Sequence, residues 1–275
     1  MSISIIIPTT RPVWKLNKLI NQILIQEDKI EIIIVHQGLK NNINLINDKR
    51  IKLINIFKKN LSIAKNLGIQ KAKYQAIAII DDDITLSKKY LPIGKNTMNR
   101  KKNFSLIFGS IHTKNNKRLS YNMLKKNSEI NYSNFLSCLA SSMWINKNKF
   151  KYKKKLFDER FGLGGKYGSG EETDLILNAL NEKKYIFYKF NLKIYHPYIS
   201  KKNKEYLDYA IGNGAIYRKF SDKKKILSYA LFLKSIIFSF LLILLNIILL
   251  NKHRAYKYLY FFIGRIIGFL KYRKM

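Results

Sequence analysis

The apolar residues of this chain come in short, unbroken, isoleucine-rich runs: "SISIIIP" at 2–8, "KIEIIIVH" at 29–36, "IKLINIF" at 51–57 and "QAIAIIDDD" at 75–83. A strand with one wetted face alternates apolar and polar residues. Runs that do not alternate suit strands buried on both faces, the situation inside a parallel sheet with helices on either side. Helical segments with a polar face lie between the runs, from Trp14 to about Gln26 and in "SIAKNLGIQKA" at 62–72. The order predicts an α/β fold, a doubly wound and mostly parallel, Rossmann-like sheet. At 275 residues the chain accommodates one catalytic-sized domain with an appendage and is too short for two full-sized domains.

Further along, "NFSLIFGSI" at 103–111 reads as a strand and "FLSCLASSMWINKNKF" at 135–150 as a strand and turn. In "FDERFGLGGKYGSGEETDLILNAL", 157–180, a glycine-rich loop runs into an amphipathic helix from about Glu171. One or two short strands then end at His196 and Pro197. "MSISIIIPTTRP" lacks a basic stretch and is broken by Pro8, so it is expected to be a first strand and not a signal peptide.

The character changes near residue 205. Residues 226–250 hold 18 Leu, Ile and Phe around a single Lys234. On an insertion scale those residues contribute roughly −5 to −10 kcal/mol against about +3 for one central lysine. This stretch is long enough to cross a bilayer core. The second apolar stretch, 258–270, is shorter and carries Arg265, which fits an interfacial or re-entrant segment. The expected organisation is a catalytic domain at 1–204, a basic interfacial linker at 205–225 and a membrane-associated hydrophobic tail at 226–275. Basic residues at 223–225 and in "KYRKM" favour a hairpin returning to the cytoplasm, whereas "NKHR" at 251–254 favours a tail lying in the interface.

The apolar run at 76–80 stops in three consecutive aspartates, Asp81, Asp82 and Asp83, within a chain of net charge +35. Two carboxylates about 5 Å apart repel by roughly 3 kcal/mol at an effective dielectric of about 20. Ligands of open α/β sheets bind beyond the carboxyl ends of the strands, where these acids stand. In strand geometry Asp81 and Asp83 point to one side and Asp82 to the other. A hard divalent cation together with a diphosphate would offset the repulsion; the alternative is a solvated turn capping the next helix.

The charge comes from 52 Lys and Arg against 17 Asp and Glu. It suits anionic headgroups or phosphorylated small molecules. Because the lysines are scattered along the chain and form no basic face interleaved with aromatics, nucleic acid is not an expected partner. The single cysteine, Cys138, excludes a disulfide framework and a cysteine-built zinc site within one chain.

"ISIIIPTTRP", "IEIIIVHQG", "LSIAKNLGIQKAKYQAIAIIDDDI" and "GSGEETDLILNAL" occur in that order. Together they resemble the family 2 glycosyltransferases over about residues 1–200. The resemblance implies a GT-A fold and an inverting sugar transfer from a nucleotide-diphosphate donor, UDP-linked by default. The implied acceptor is a lipid-linked or growing glycan of bacterial cell-surface polysaccharide or glycolipid synthesis, made at the cytoplasmic face of the inner membrane.

By the same resemblance Pro8, Thr9 and Arg11 line the nucleotide pocket, Lys65 approaches the nucleotide, and Asp81 and Asp82 lie towards the donor. Asp83 binds Mn²⁺ or Mg²⁺, completed by His196. Where the family has a base-reading aspartate this chain has His36 and Gln37, and Gln37 can still donate and accept hydrogen bonds to a pyrimidine. Glu172 stands at the place of the catalytic base, with Glu171 and Asp174 beside it. Trp144 and Asp158 fall on the acceptor side. Read locally, Ser169 and Glu172 form an S-x-x-E capping box, Trp144 reads equally well as core, and a histidine before proline reads as a packed side chain. "YAIGNGAIYRKF", 209–220, resembles the segments that join such domains to membrane tails. The rival from another class is a non-catalytic membrane-surface scaffold with the same fold. A nucleotidyltransferase would place a glycine-rich loop where this chain has "PTTRP".

Overall fold

A computed structural model describes residues 1–38, 45–100, 103–115, 117–118, 123–138, 141–150, 154–197 and 203–274. The strands and helices run in the order β1 (Ile3–Thr9), α1 (Asn17–Leu24), β2 (Ile30–Gln37), β3 (Ile51–Ile56), α2 (Leu61–Lys71), β4 (Ala76–Ile80), β5 (Thr85–Leu86) and α3 (Tyr90–Arg100). Then come β6 (Phe104–His112), β7 (Ser128–Glu129), β8 (Ser142–Asn146), α4 (Glu171–Asn181), β9 (Tyr185–Tyr195), α5 (Asn203–Ser221), α6 (Lys225–Ile248) and α7 (Lys252–Lys271). The chain divides into two compact units, Met1–Phe157 with Leu175–Tyr198 and Asp158–Asp174 with Ile199–Met275.

In the first unit the described strands form one mixed, mostly parallel sheet in the order β3-β2-β1-β4-β8-β6-β9-β5, with β7 on β9. The four strands β3-β2-β1-β4 are parallel to one another. The unbroken isoleucine runs take the places expected of them. Every residue of β1, β4 and β6 is buried, and β3, at the edge, has only half-buried and exposed residues. Burial on both faces removes the strand cores from water, at roughly 25 cal/mol per Å² of apolar surface.

Helix α2 starts where Asn60 caps it, its side chain accepting from the Ile63 amide at 3.0 Å. Helix α3 has no counterpart among the expected elements, because Pro92 and Gly94 interrupt its pattern. Gly94 is there for a packing reason. A Cβ at this position would stand 2.1 Å from Trp144 Cζ2, so only glycine lets α3 close over the indole. Trp144 is fully buried and its Nε1 donates to the Tyr90 hydroxyl at 3.1 Å. The expected acceptor-side role of Trp144 is therefore corrected: the ring belongs to the core and presents no surface to a ligand.

In the second unit α5, α6 and α7 pack together. Gly264 and Gly268 on α7 meet α5 so closely that a Cβ would stand 2.9 Å from the Leu207 carbonyl oxygen and 1.9 Å from that of Ile211. Small residues four apart allow such backbone contact. Helix α6 is the one described helix long and apolar enough to cross a membrane. Its burial is inverted relative to a water-soluble helix. Ser228, Ser239 and Asn246 face inward at 0, 1 and 5% exposure, while Ile226 and Ile248 are 88 and 77% exposed.

Candidate active site

The parallel order brings the carboxyl ends of β1, β2 and β4 side by side. Thr9 on β1 is in register with His36 on β2. Pairing of β1 with β4 ends at Ile6 opposite Ile79, and Pro8 has no amide N–H with which to extend that ladder. The three aspartates follow immediately after β4. On its other side β4 pairs antiparallel with β8, Ile80 opposite Ser142, which carries Ser141 up to Asp81. Strand β9 pairs Tyr195 with Thr85 of β5, and the His196 amide donates to the His112 carbonyl at 2.8 Å. His196 thereby meets Asp83.

Each aspartate has partners of its own, and these resolve the repulsion. Ser141 donates to Asp81, and Thr9 donates to Asp82. Arg11 reaches Asp82 at 3.2 Å and Asp83 at 3.3 Å. His196 Nε2 stands 3.3 Å from Asp83 Oδ1. Burial pushes the Asp82 carboxyl up, with Thr9 and Arg11 opposing it. The hydrogen bond from His196 holds Asp83 below the usual carboxylate range, and the same bond raises His196.

Asp81, Asp83 and His196 each offer a ligand atom, all within 4.8 Å of one another. The second imidazole nitrogen of His196, Nδ1, lies 2.7 Å from the Pro197 carbonyl oxygen. A carbonyl only accepts, so Nδ1 carries a proton, and Nε2 donates to Asp83; a cation bound between the carboxylates would take the place of the Nε2 proton while the Nδ1 bond keeps the ring oriented, as in metal-bound histidines. Two carboxylates and one imidazole suit Mn²⁺ or Mg²⁺, so the residues present fit such a cation.

Beside this cluster, Gln37 is buried at the end of β2 and His36 Nε2 stands 2.9 Å from the Arg11 carbonyl oxygen. By the same logic Nε2 donates there. Burial lowers the His36 pKa and keeps the ring neutral, although the Arg11 carbonyl opposes the shift. Lys65 is buried on α2 with its ammonium 5.2 Å from the Phe157 ring centroid. Asn66 Oδ1 accepts from the amides of Leu156 and Phe157 at 3.1 and 2.9 Å, and Nδ2 donates to the Phe157 carbonyl at 2.8 Å. One side chain thus fixes the segment that leads into the glycine-rich loop.

That loop and the start of α4 belong to the second unit. The first helical bond of α4 runs from the Asp174 amide to the Gly170 carbonyl at 2.9 Å. Gly170, at φ +95°, therefore takes the cap position. The Ser169 hydroxyl instead donates to the Tyr209 carbonyl at 3.0 Å, so the expected capping box is replaced by a tie to α5. Glu171 is buried and Glu172 half-buried.

Asp174 and Asp158 share one lysine. Lys219 Nζ lies 2.7 Å from Asp174 Oδ2 and 2.8 Å from Asp158 Oδ2. Arg160 adds a bond to Asp158 at 2.6 Å and donates to the Tyr272 hydroxyl at 3.1 Å. Burial alone would raise Asp158, but the bonds from Arg160 and Lys219 outweigh it and hold the carboxyl well below its usual range. Burial pushes Asp174 up, against the pull of Lys219. Both acids hold the two ends of the loop to α5. Ser141, Asn66, Arg160 and Lys219 carried no signal in the sequence: each is a common residue type, picked out only by strand register or by partners far along the chain.

The family model described as glycosyl transferase family 2 matches residues 4–224. The fold is similar to that of S. aureus TarS 1–349, with a TM-score of 0.58 at 13% identity over 81% of this chain and 65% of that one. It is similar to the same protein in complex with UDP-GlcNAc, with a TM-score of 0.58 at 15% identity over 81% of this chain and 67% of that one. A third likeness is to glucosyl-3-phosphoglycerate synthase from Mycobacterium tuberculosis in complex with Mn²⁺, uridine-diphosphate and phosphoglyceric acid, with a TM-score of 0.52 at 11% identity over 81% of this chain and 78% of that one. At these identities the likeness is one of fold. The chain spans about 65% of the length of the first TarS structure. No curated protein matches the sequence.

Proposed function

Since the chain belongs to glycosyl transferase family 2, we propose that it moves a sugar from a UDP-linked donor to a lipid-linked or growing glycan acceptor. The setting we assign is bacterial cell-surface polysaccharide or glycolipid synthesis, on the cytoplasmic face of the inner membrane. The catalytic domain is residues 1–204, joined through 205–225 to a membrane-associated tail at 226–275. The observation that carries the reading is the convergence of Asp81, Asp83 and His196 at the carboxyl end of β4. The UDP-sugar and Mn²⁺ bound by the two structural relatives support the choice of donor and cation.

Asp81, Asp83 and His196 would hold the cation. When bound, Mn²⁺ or Mg²⁺ supplies positive charge for the departing diphosphate. Arg11 keeps Asp82 and Asp83 in place, and Thr9, Pro8, Gln37, Lys65 and the aspartates form the nucleotide side. In a single inverting displacement the acceptor hydroxyl oxygen bonds to the anomeric carbon as the bond from that carbon to the diphosphate breaks, its electron pair leaving with the phosphate. The hydroxyl proton passes to the Glu172 carboxylate, the base of the step. Glu171 is buried next to it in the first turn of α4, and Asp158 and Asp174 hold the loop.

The test is nucleotide release by the detergent-purified protein from UDP-, GDP- and dTDP-sugars, with Mn²⁺ or EDTA. Glu172→Gln should lower kcat by about 10²- to 10⁴-fold, the range of general base catalysis, with donor KM unchanged. Release of no nucleotide from any donor, together with no donor binding by calorimetry, would replace this reading with the non-catalytic scaffold.

A further inference from the structure

Arg265 lies in the middle of α7, beside the most apolar helix of the protein. Its Nη1 donates to the Ser235 carbonyl of α6 at 2.8 Å and to the Ser239 hydroxyl. The guanidinium also lies over the Phe261 ring, 5.2 Å from its centroid. Besides that ring, two bonds to neutral acceptors from one nitrogen are what offset its charge. Nε is buried without a partner, and among the described residues no carboxylate lies within ion-pairing distance of the group. Arginine does not shed its proton in proteins. An uncompensated charge of this kind is costly to bury, and in apolar helices such a residue marks a site of function.

The charge needs an anion that the described protein does not supply. The bonds to α6 engage the Nη1 end, which leaves the edge formed by Nε and Nη2. That edge of a guanidinium matches two oxygens of a phosphate. Phe261 lies against the group and the neighbouring helix α6 is the most apolar of the protein, so an anion that fits must bring apolar surface with it. Tyr209 of α5 connects this place to the start of α4. Its hydroxyl feels the charges of Glu172 and Glu171 on one side and of Arg265 on the other, the carboxylates raising its pKa and the guanidinium lowering it. The anion would therefore sit within electrostatic reach of the proposed base.

We propose that Arg265 binds the phosphate of an anionic amphiphile, a phosphorylated lipid, in the tail of this protein. This deepens the reading of a lipid-linked acceptor and rests on it. Binding does not require turnover, so it can be tested even if no donor is found.

The experiment uses the full chain in neutral detergent micelles. Its melting temperature is followed while dodecyl phosphate, phosphatidylglycerol or inorganic phosphate is added, for the wild type, Arg265→Gln, Arg265→Lys and Ser239→Ala. Dodecyl phosphate should raise the melting temperature of the wild type and of Ser239→Ala, and inorganic phosphate should not. The apparent affinity should fall about tenfold or more in Arg265→Gln, the loss expected for a charged hydrogen bond. Equal shifts in the wild type and Arg265→Gln, or no shift at saturating amphiphile, would overturn the assignment. If Arg265→Gln does not fold, Arg265→Lys decides: without the planar fork it should bind more weakly than Ser239→Ala, and equal binding by the two would count against the site. A response to the dodecyl monoester alone identifies a phosphorylated carrier lipid as the ligand, and an Arg265-dependent response to both lipids identifies bulk headgroups.

Discussion

Asp83 accepts from His196 and Arg11 while belonging to a run of three acids. Replacing it leaves Arg11 on Asp82 and Asp81 on Ser141, so the turn keeps its shape. Asp83→Ala should therefore lose metal-dependent nucleotide release by about 10²-fold or more, as when one preorganised electrostatic contact is removed, with the far-UV circular dichroism unchanged. Full activity in Asp83→Ala would remove it from the metal site. Gly94 makes the opposite kind of prediction. Gly94→Ala brings a methyl against a fully buried indole, and overpacking of this kind costs about 1–3 kcal/mol. A lower urea midpoint with unaltered donor affinity is expected.

Among the elements, the loop from Asp158 to Asp174 depends most on charge. The Asp158 carboxyl is depressed on folding, so its contribution is present above the unfolded value of about 3.9 and fades as the pH falls below it. Asp158→Asn should make stability less dependent on pH below about 4, by up to roughly one proton, in urea titrations at stepped pH. An unchanged slope would mean that Lys219 and Arg160 do not stabilise the ionised form. This loop also marks where sequence reading stops. β1, β2, β3, β4 and α2 were legible because isoleucine-rich runs and the polar-faced segment 62–72 are local signals. Asp81, Asp83 and His196 stood out through a resemblance as well as through chemistry. Helix α3 was hidden by Pro92 and Gly94, and the reason for Gly94 is a tryptophan about fifty residues later. Trp144 was misplaced for the same reason, since local pattern does not say what will cover a side chain. The partners of Lys219 were illegible because one lysine among so many carries no mark of its own.

On the scale of the whole molecule, the net charge of +35 and the outward apolar face of α6 act through different forces. Cosedimentation with anionic vesicles should weaken as salt rises and the Debye length shrinks from about 10 Å at 0.1 M to about 3 Å at 1 M. A fraction should remain bound to neutral vesicles at every salt concentration, through the leucines, isoleucines and phenylalanines of α6. Complete release by salt alone would mean that this face does not enter lipid.

The contact between Arg160 and Tyr272 spans 112 residues of chain. A ribosome adding roughly 5–20 residues per second leaves Arg160 waiting for this partner for about 6–22 seconds. During that interval the sheet of β1 to β4 can already form, and the loop that carries Glu171 and Glu172 still lacks its last fastening. The start of α4 is thus completed well after the strands that precede it, once α5, α6 and α7 have been made.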